Sequence, residues 1–300
     1  MKIGLSTYSL NQSLSKGQMT LFEAIDWIAA HGGDSVEFVP FAYSFEDGRG
    51  GIDRALTGQV KKRCADAGLE MANYSVLADL CREDDAEFEA EVARVCRQVD
   101  IAAELGVPRM RHDVAAYRRE LGRNGIAEFD RLLPRMVEGA RRITDYAKGL
   151  GVITMIENHG FFANGCDRVE RVLNGVARDN YRLLLDTGNI VCVDEDPSAA
   201  AARLAGRAEI VHLKDFYIRR RDPGDSTQFD CEGHWFRSLA GRYLRGAILG
   251  QGDLDIYEIL GALGRAGFAG HLMIEFEGLE DPAYASAVSL ANARRILSEV

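Results

Sequence analysis

The sequence predicts an α/β fold of a single domain, a (β/α)8 barrel over residues 1–300, and three observations predict it. Eight short apolar runs recur along the chain, amphipathic helical stretches lie between them, and glycine marks the passages from helix to strand. Strict strand–helix alternation implies a parallel sheet with right-handed crossovers, and eight such units can close on themselves. Three hundred residues with 47% hydrophobic content are enough for one large core of this type, for which about 250 residues is typical.

The first run is KIGLSTYSL at 2–10, followed by an amphipathic helix at 20–31. The second and third strands are expected at 35–40 (SVEFVP) and 70–77 (EMANYSVL). A long helix at 86–106 leads into the fourth strand at 108–114, and another at 129–151 leads into the fifth at 152–159. The sixth and seventh are YRLLLDTG at 181–188 and EIVHLKDF at 209–216. A helix at 254–267 precedes the eighth, HLMIEFEG at 271–278. The segments HGGDS, DAGLE, ELGVP, GLGV and RAGFAG each put glycine after an apolar-periodic run and before a strand, where a helix C-cap belongs.

Composition excludes other classes. The N-terminus lacks the basic and apolar regions of a secretion signal, and no apolar run approaches the roughly 20 residues that span a bilayer. A soluble, cytoplasmic protein without membrane contact is expected. A net charge of −10 argues against a nucleic-acid partner, because phosphate contacts need clustered Lys and Arg. The basic run Arg219-Arg220-Arg221 is followed by acidic residues and reads as solvated or as a subunit contact. Cys64, Cys81, Cys96, Cys166, Cys192 and Cys231 include no CxxC pair, so neither a disulfide framework nor a thiolate zinc site is implied.

The chemistry concentrates on four strand ends. Glu157, Asp186, His212 and Glu275 each follow an apolar run, so each side chain emerges where strand passes into loop, the edge that carries active sites in such folds. Each has an ordinary use as well. Glu157 could pair with a neighbouring cation, Asp186 could cap the turn Asp-Thr-Gly-Asn, and His212 could be a hydrogen-bonded core residue. Their coincidence on strands five to eight favours a metal site. Three carboxylates and one imidazole suit one divalent ion, Mn²⁺ first, with Mg²⁺, Co²⁺, Zn²⁺ and Fe²⁺ as competitors. Such an ion polarises a carbonyl and its adjacent hydroxyl, the α C–H becomes acidic, and carboxylates on two sides of the resulting enediolate can remove and return a proton. Glu277, two residues beyond Glu275, is expected on the same face.

The set E-N-H after strand five, D-T-G-N, H-L-K-D-F, L-G-x-G-D-L-D and a final I-E-F-E-G resembles the xylose isomerase-like TIM barrel superfamily. That group contains sugar phosphate isomerases and epimerases, ketose 3-epimerases, hydroxypyruvate isomerase and inosose dehydratase. The resemblance implies that Glu157, Asp186, His212 and Glu275 bind the metal, that Glu157 and Glu275 double as the acid/base pair, and that Glu37 stands near the substrate. Two departures are visible: Asn189 stands where ketose epimerases have His, and Ile218, followed by Arg219, stands where they have Arg.

Substrate contacts are expected from Glu37, Arg111, His112, His159, Asn189 and Lys214 at the strand ends, and from Trp235 and Arg237 in a long loop at 218–249. Arg111 with Asp113 could equally hold Glu157 in place, Lys214 could reach Glu275, and Asp215 is expected to support the site from behind. The loop, which also holds Phe229, His234, Phe236 and Tyr243, suits a lid over a sugar ring or a subunit contact, and a homo-oligomer is expected. Gly250-Gln251-Gly252 before the last helix reads as a plain turn or as an anion cradle. The function expected is a metal-dependent isomerase or epimerase of a keto-sugar or polyol-derived small molecule. The alternatives are a lyase on the same scaffold, by dehydration or cleavage of a keto-glycoside, an AP endonuclease-like phosphodiesterase with several zinc ions, for which six histidines are few, and a non-catalytic barrel.

Overall fold

Runs of β-branched and apolar residues become the strands, and Asp, Thr or Gly residues start the helices between them. In the computed structural model, which describes residues 1–227 and 233–300, the strands are β1 (Lys2–Ser6), β2 (Ser35–Phe38), β3 (Glu70–Val76), β4 (Arg109–His112), β5 (Ile153–Glu157), β6 (Tyr181–Asp186) and β7 (Ala208–Leu213). After β7 come β8 (Asp215–Arg219), β9 (Ser226–Thr227), β10 (Trp235–Arg237), β11 (Tyr243–Ala247) and β12 (His271–Ile274). The parallel strands β1–β7 and β12 close into the expected barrel, in the order β1-β12-β7-β6-β5-β4-β3-β2. Its helices are α1 (Asn11–Ser15), α2 (Leu21–Ala30), α3 (Arg54–Asp66), α4 (Asp85–Leu105), α5 (Ile126–Lys148), α6 (Cys166–Val176), α7 (Pro197–Leu204), α8 (Ile256–Arg265) and α9 (Pro282–Glu299).

Helix starts follow capping chemistry. Thr20 and Glu23 form a reciprocal capping box on α2, and the side chains of Asp53, Asp84, Asp196, Asp255 and Asp281 accept backbone N–H groups at the starts of α3, α4, α7, α8 and α9. Gly106 ends α4 at φ 73°, the left-handed cap that the ELGVP segment predicts. Among the described residues no helix is long and apolar enough to cross a membrane, and Cys64, Cys81, Cys96 and Cys166 are free thiols.

The barrel interior is layered by the two-residue period of its strands. Ala72, Met155, Leu184, Ile210 and Met273 form a buried apolar layer inside the barrel. Two residues further come Glu157 on β5, Asp186 on β6, His212 on β7 and Glu275 just past β12, so a single step of the pleat changes the interior from apolar to charged. Gly4 permits the close packing of this interior, because a Cβ there would collide with Ser35 and Met273.

The structure corrects the sequence reading in two places. β12 ends at Ile274, so Glu275 and Glu277 lie in the segment just past the barrel strand. The stretch 218–249 is no open loop: β8 leaves the barrel after Leu213 and pairs antiparallel with β11, giving a four-stranded sheet in the order β8-β11-β10-β9. Ile218, Leu244 and Phe236 pair across that sheet and share one face, opposite to Tyr217, Arg219, Tyr243, Arg245, Trp235 and Arg237. Phe229 and Cys231 lie outside the described residues.

Candidate metal centre

Glu157 and Asp186 at the ends of β5 and β6, His212 in the last pleat of β7 and Glu275 just past β12 converge on one point. His212 Nδ1 lies 3.7 Å from Glu157 Oε1, 3.7 Å from Asp186 Oδ2 and 3.7 Å from Glu275 Oε2. Two ligands each about 2.1 Å from a shared ion can stand up to about 4 Å apart, so this spacing fits a common divalent cation. His212 and Asp186 are 1% and 0% exposed. His212 Nδ1 and Asp186 Oδ2 are buried without a hydrogen bond, a cost that folding rarely leaves uncompensated. The donor set and these two orphaned atoms fit a bound divalent ion.

Each of the four has its own support. Glu37 Oε2 accepts from His212 Nε2 at 2.6 Å, which leaves Nδ1 aimed at the carboxylates. Asp186 caps the turn as foreseen, with Oδ1 accepting from Gly188 N–H at 2.8 Å and Asn189 N–H at 2.7 Å, while Oδ2 faces the cluster. Asn158 clamps the Asp186 backbone by donating to its carbonyl and accepting from its N–H, each at 2.8 Å. Arg111 pairs with Glu157, and Asn189 Nδ2 donates to Glu157 Oε1 at 3.0 Å. Lys214 Nζ lies 2.6 Å from Glu275 Oε2, 3.3 Å from Asp186 Oδ2 and 3.4 Å from Glu277 Oε2, and donates to Asn189 Oδ1 at 3.1 Å.

These contacts set the protonation states. Burial works against the Glu157 carboxylate, but Arg111 together with His212 and His159 outweighs it and holds its pKa well below the ordinary value. Burial likewise opposes charge on His212 and Lys214, and the carboxylates Glu37 and Glu275 around the first, Asp186 and Glu275 around the second, hold both pKa values well above the ordinary ones. Glu277 is pushed up to about 7, chiefly by burial against the opposing pull of Lys214. His159 is raised: burial lowers it, and Asp113 prevails, with His159 Nδ1 3.1 Å from Asp113 Oδ1.

A cavity of about 390 Å³ opens above the cluster. Of the residues expected at the substrate, Glu37, Arg111, His159, Asn189 and Lys214 line it, together with Glu157, His212, Glu275 and Glu277. The carboxylate of Glu37 is already bound by His212, Ser75 and Asn73. His112 is placed elsewhere. Arg111 points into the barrel, so the next residue on β4 points out of it, and His112 is fully buried with Nδ1 against Asp113 O at 2.9 Å. Trp235 and Arg237 also miss the cavity, and for the same reason: Phe236 between them reaches it, packing edge-on against Phe216 at 5.7 Å. Trp235 instead carries Arg245 over its ring at 5.1 Å, and Arg237 donates to Tyr243 Oη at 2.8 Å. Tyr8, Asn11, Tyr117 and Phe161 complete the walls, and no sequence signal marks them.

Comparison with known proteins follows from this geometry. A family model described as xylose isomerase-like TIM barrel matches residues 25–294. Inosose dehydratase of Lacticaseibacillus casei is 27% identical over 158 residues, covering 52% of this chain and 50% of that protein. The chain thus spans about half the length of the curated relatives it matches. The solved structure of an L-ribulose 3-epimerase aligns at a TM-score of 0.73 and 18% identity over 99% of this chain and 95% of that one. That of the IOLI protein with a binding zinc atom aligns at a TM-score of 0.73 and 14% identity, over 100% and 99%. At such identities the likeness to solved structures establishes the fold.

Proposed function

The chain belongs to the xylose isomerase-like TIM barrel family, and from that premise we propose that it is a divalent-metal-dependent isomerase or epimerase of a keto-sugar or related polyhydroxy carbonyl compound. The observation that carries this reading is the convergence of Glu157, Asp186, His212 and Glu275 on one point, where His212 Nδ1 and Asp186 Oδ2 are buried without a hydrogen bond and Lys214 Nζ lies 3.3 Å from the latter. A divalent ion held there, Mn²⁺ by preference, would supply the Lewis acidity that makes the α C–H of a bound carbonyl compound removable. The IOLI structure, which has a binding zinc atom, supports a metal in a barrel of this fold.

The side chains then divide the work. Glu157 and Glu275 stand at the two ends of the arc β5-β6-β7-β12, so they flank a substrate over the cluster and can take and return its proton from two sides. Arg111 keeps Glu157 ionised and therefore able to accept the proton. Asn189, Lys214 and His159 offer hydrogen-bond donors to the hydroxyls of a sugar. Phe236 and the aromatic walls exclude water from a reactive enediolate.

A lyase is the second reading, favoured by Asn189 in place of an epimerase His and by His159, which Asp113 holds at the cavity wall where a leaving group would need a proton. The inosose dehydratase relative agrees with it. A phosphodiesterase with several zinc ions is not supported, since among the described residues His159 and His212 alone of the histidines line the cavity. Incubating Mn²⁺-loaded protein in D₂O with ketoses, inososes and 3-keto-glycosides separates the readings. Deuterium uptake beside the carbonyl without loss of water supports isomerisation or epimerisation, and an unsaturated product supports elimination. A protein that binds the metal and does neither refutes both.

A further inference from the structure

A sugar can arrive free or phosphorylated, and a phosphate group needs uncommitted cations or convergent backbone N–H groups. Barrels of this architecture frequently supply the amides from the loops after strands seven and eight and a nearby helix N-terminus. This chain has such amides, and its own carboxylates occupy them. Asp215, just past β7, is buried; its Oδ2 accepts from Gly250 and Gly252 N–H at 2.9 Å each, and its Oδ1 from Phe216 at 2.8 Å and Leu254 at 3.2 Å. At the start of α6, Cys166 N–H donates to Glu195 Oε2 at 3.0 Å. After β6, the amides of Gly188 and Asn189 are taken by Asp186.

Two of the three cations at the cavity are committed in the same way. Among the described residues, the Lys and Arg side chains lining the cavity are Arg111, Arg118 and Lys214. Arg111 pairs with Asp113 and Glu157, and Lys214 pairs with Asp186, Glu275 and Glu277. Arg118 lies over the Tyr117 ring at 5.2 Å. Residues 228–232, QFDCE, contain no Lys, Arg or His. Against the two paired cations stand six carboxylates, Glu37, Asp113, Glu157, Asp186, Glu275 and Glu277. Their formal charge is −4, and a divalent ion reduces it to −2. A dianionic group entering such a buried cluster meets repulsion that the low dielectric strengthens.

We infer that the substrate is an uncharged keto-sugar or keto-polyol, and that the site rejects the phosphorylated form of the same compound. The inference rests on the proposed isomerase or lyase reading for the carbonyl end of the substrate. The phosphate end is argued from the occupied amides, the pairing of Arg111 and Lys214 and the surplus of carboxylates, with the exposed Arg118 as the cation that the test addresses.

The test uses Mn²⁺-loaded protein and pairs that differ by one phosphate: D-fructose with its 6-phosphate, D-tagatose with its 6-phosphate, D-xylulose with its 5-phosphate. Deuterium uptake in D₂O is expected from free ketoses, with kcat/KM for the phosphorylated partner lower by about tenfold or more. A phosphorylated member that exchanges faster than its parent overturns the inference. A second measurement does not depend on turnover: calorimetric titration of the loaded protein and of Arg118→Ala with inorganic phosphate. No saturable binding is expected below about 1 mM in either. Tighter binding in the wild type overturns the inference, and its loss in Arg118→Ala would identify the cation responsible. If no sugar exchanges while phosphate also fails to bind, the isomerase reading falls and the rejection of phosphate stands.

Discussion

At the N-terminal end of the barrel, Lys2 and His271 meet Glu70, and Glu209 lies 2.8 Å from Arg109 and 3.9 Å from Arg182. At the C-terminal end, on the same strands, Arg111, Lys214 and His212 meet six carboxylates. The lower cluster is partly exposed, with Arg109 at 19% and Glu209 at 23%, and its cations match or outnumber its carboxylates. The upper one is buried, holds a surplus of negative charge and leaves Asp186 Oδ2 and His212 Nδ1 without a hydrogen bond. Solvated, matched pairs contribute little and can be exchanged, whereas a buried surplus persists only where something else compensates it. Lack of compensation therefore separates the candidate site from structural ion pairing more sharply than the number of charges does.

The contrast can be broken most severely at the proposed acid/base pair. Glu157→Gln and Glu275→Gln keep size and one oxygen ligand but lose the proton acceptor, so turnover should fall by roughly 10²–10⁴ while metal content falls far less. Near-normal deuterium exchange in a variant that retains its metal would remove that residue from the role. A lyase should show one of the two dominating, since elimination needs a single abstraction.

A second expectation concerns stability against pH. Burial lowers His112 to about 4, below its ordinary value of 6.5, so the unfolded chain takes up a proton as pH falls through 6.5 and the folded chain does not until about 4. Stability is therefore complete above pH 6.5 and declines across that window by about 3 kcal/mol from this residue. Urea unfolding of wild type and His112→Asn at pH 4 to 7 checks it; equal slopes in both would show that His112 is not the group responsible.

Trp235 and Arg237 sharpen the comparison at the mouth, because the strand pleat turns them away and Phe236 inward. Phe236→Ala should raise KM by about tenfold, the equivalent of roughly 1.4 kcal/mol, while Trp235→Ala with Arg237→Ala leaves kinetics near wild type. The reverse pattern would restore the lid drawn from sequence. The smallest effect is expected at the lower cluster, where Arg109→Ala should cost no more than about 1 kcal/mol in denaturant unfolding and nothing in metal binding. A loss of metal in that variant would blur the distinction between the two ends.

The barrel and the convergence of Glu157, Asp186, His212 and Glu275 were legible because each unit repeats and each of these residues stands at or just past the end of an apolar strand, where a charge is unexpected. Directions were harder. Pleat alternation from Arg111 would have excluded His112, and alternation in Tyr217-Ile218-Arg219 and Tyr243-Leu244-Arg245 could have revealed β8 and β11 inside the supposed loop. Pairing between distant segments left no mark in the sequence. Nothing near Asp215 announces that it fills the Gly250–Leu254 amides, and nothing near Glu37 announces that its partner is His212.

The most direct test of the central claim is equilibrium metal binding. Calorimetric titration of metal-stripped protein with Mn²⁺ or Zn²⁺ should give about one ion per chain, with affinity lost or greatly reduced in Asp186→Ala and in His212→Ala. Both variants folding normally and binding the ion with unchanged stoichiometry and affinity would contradict it.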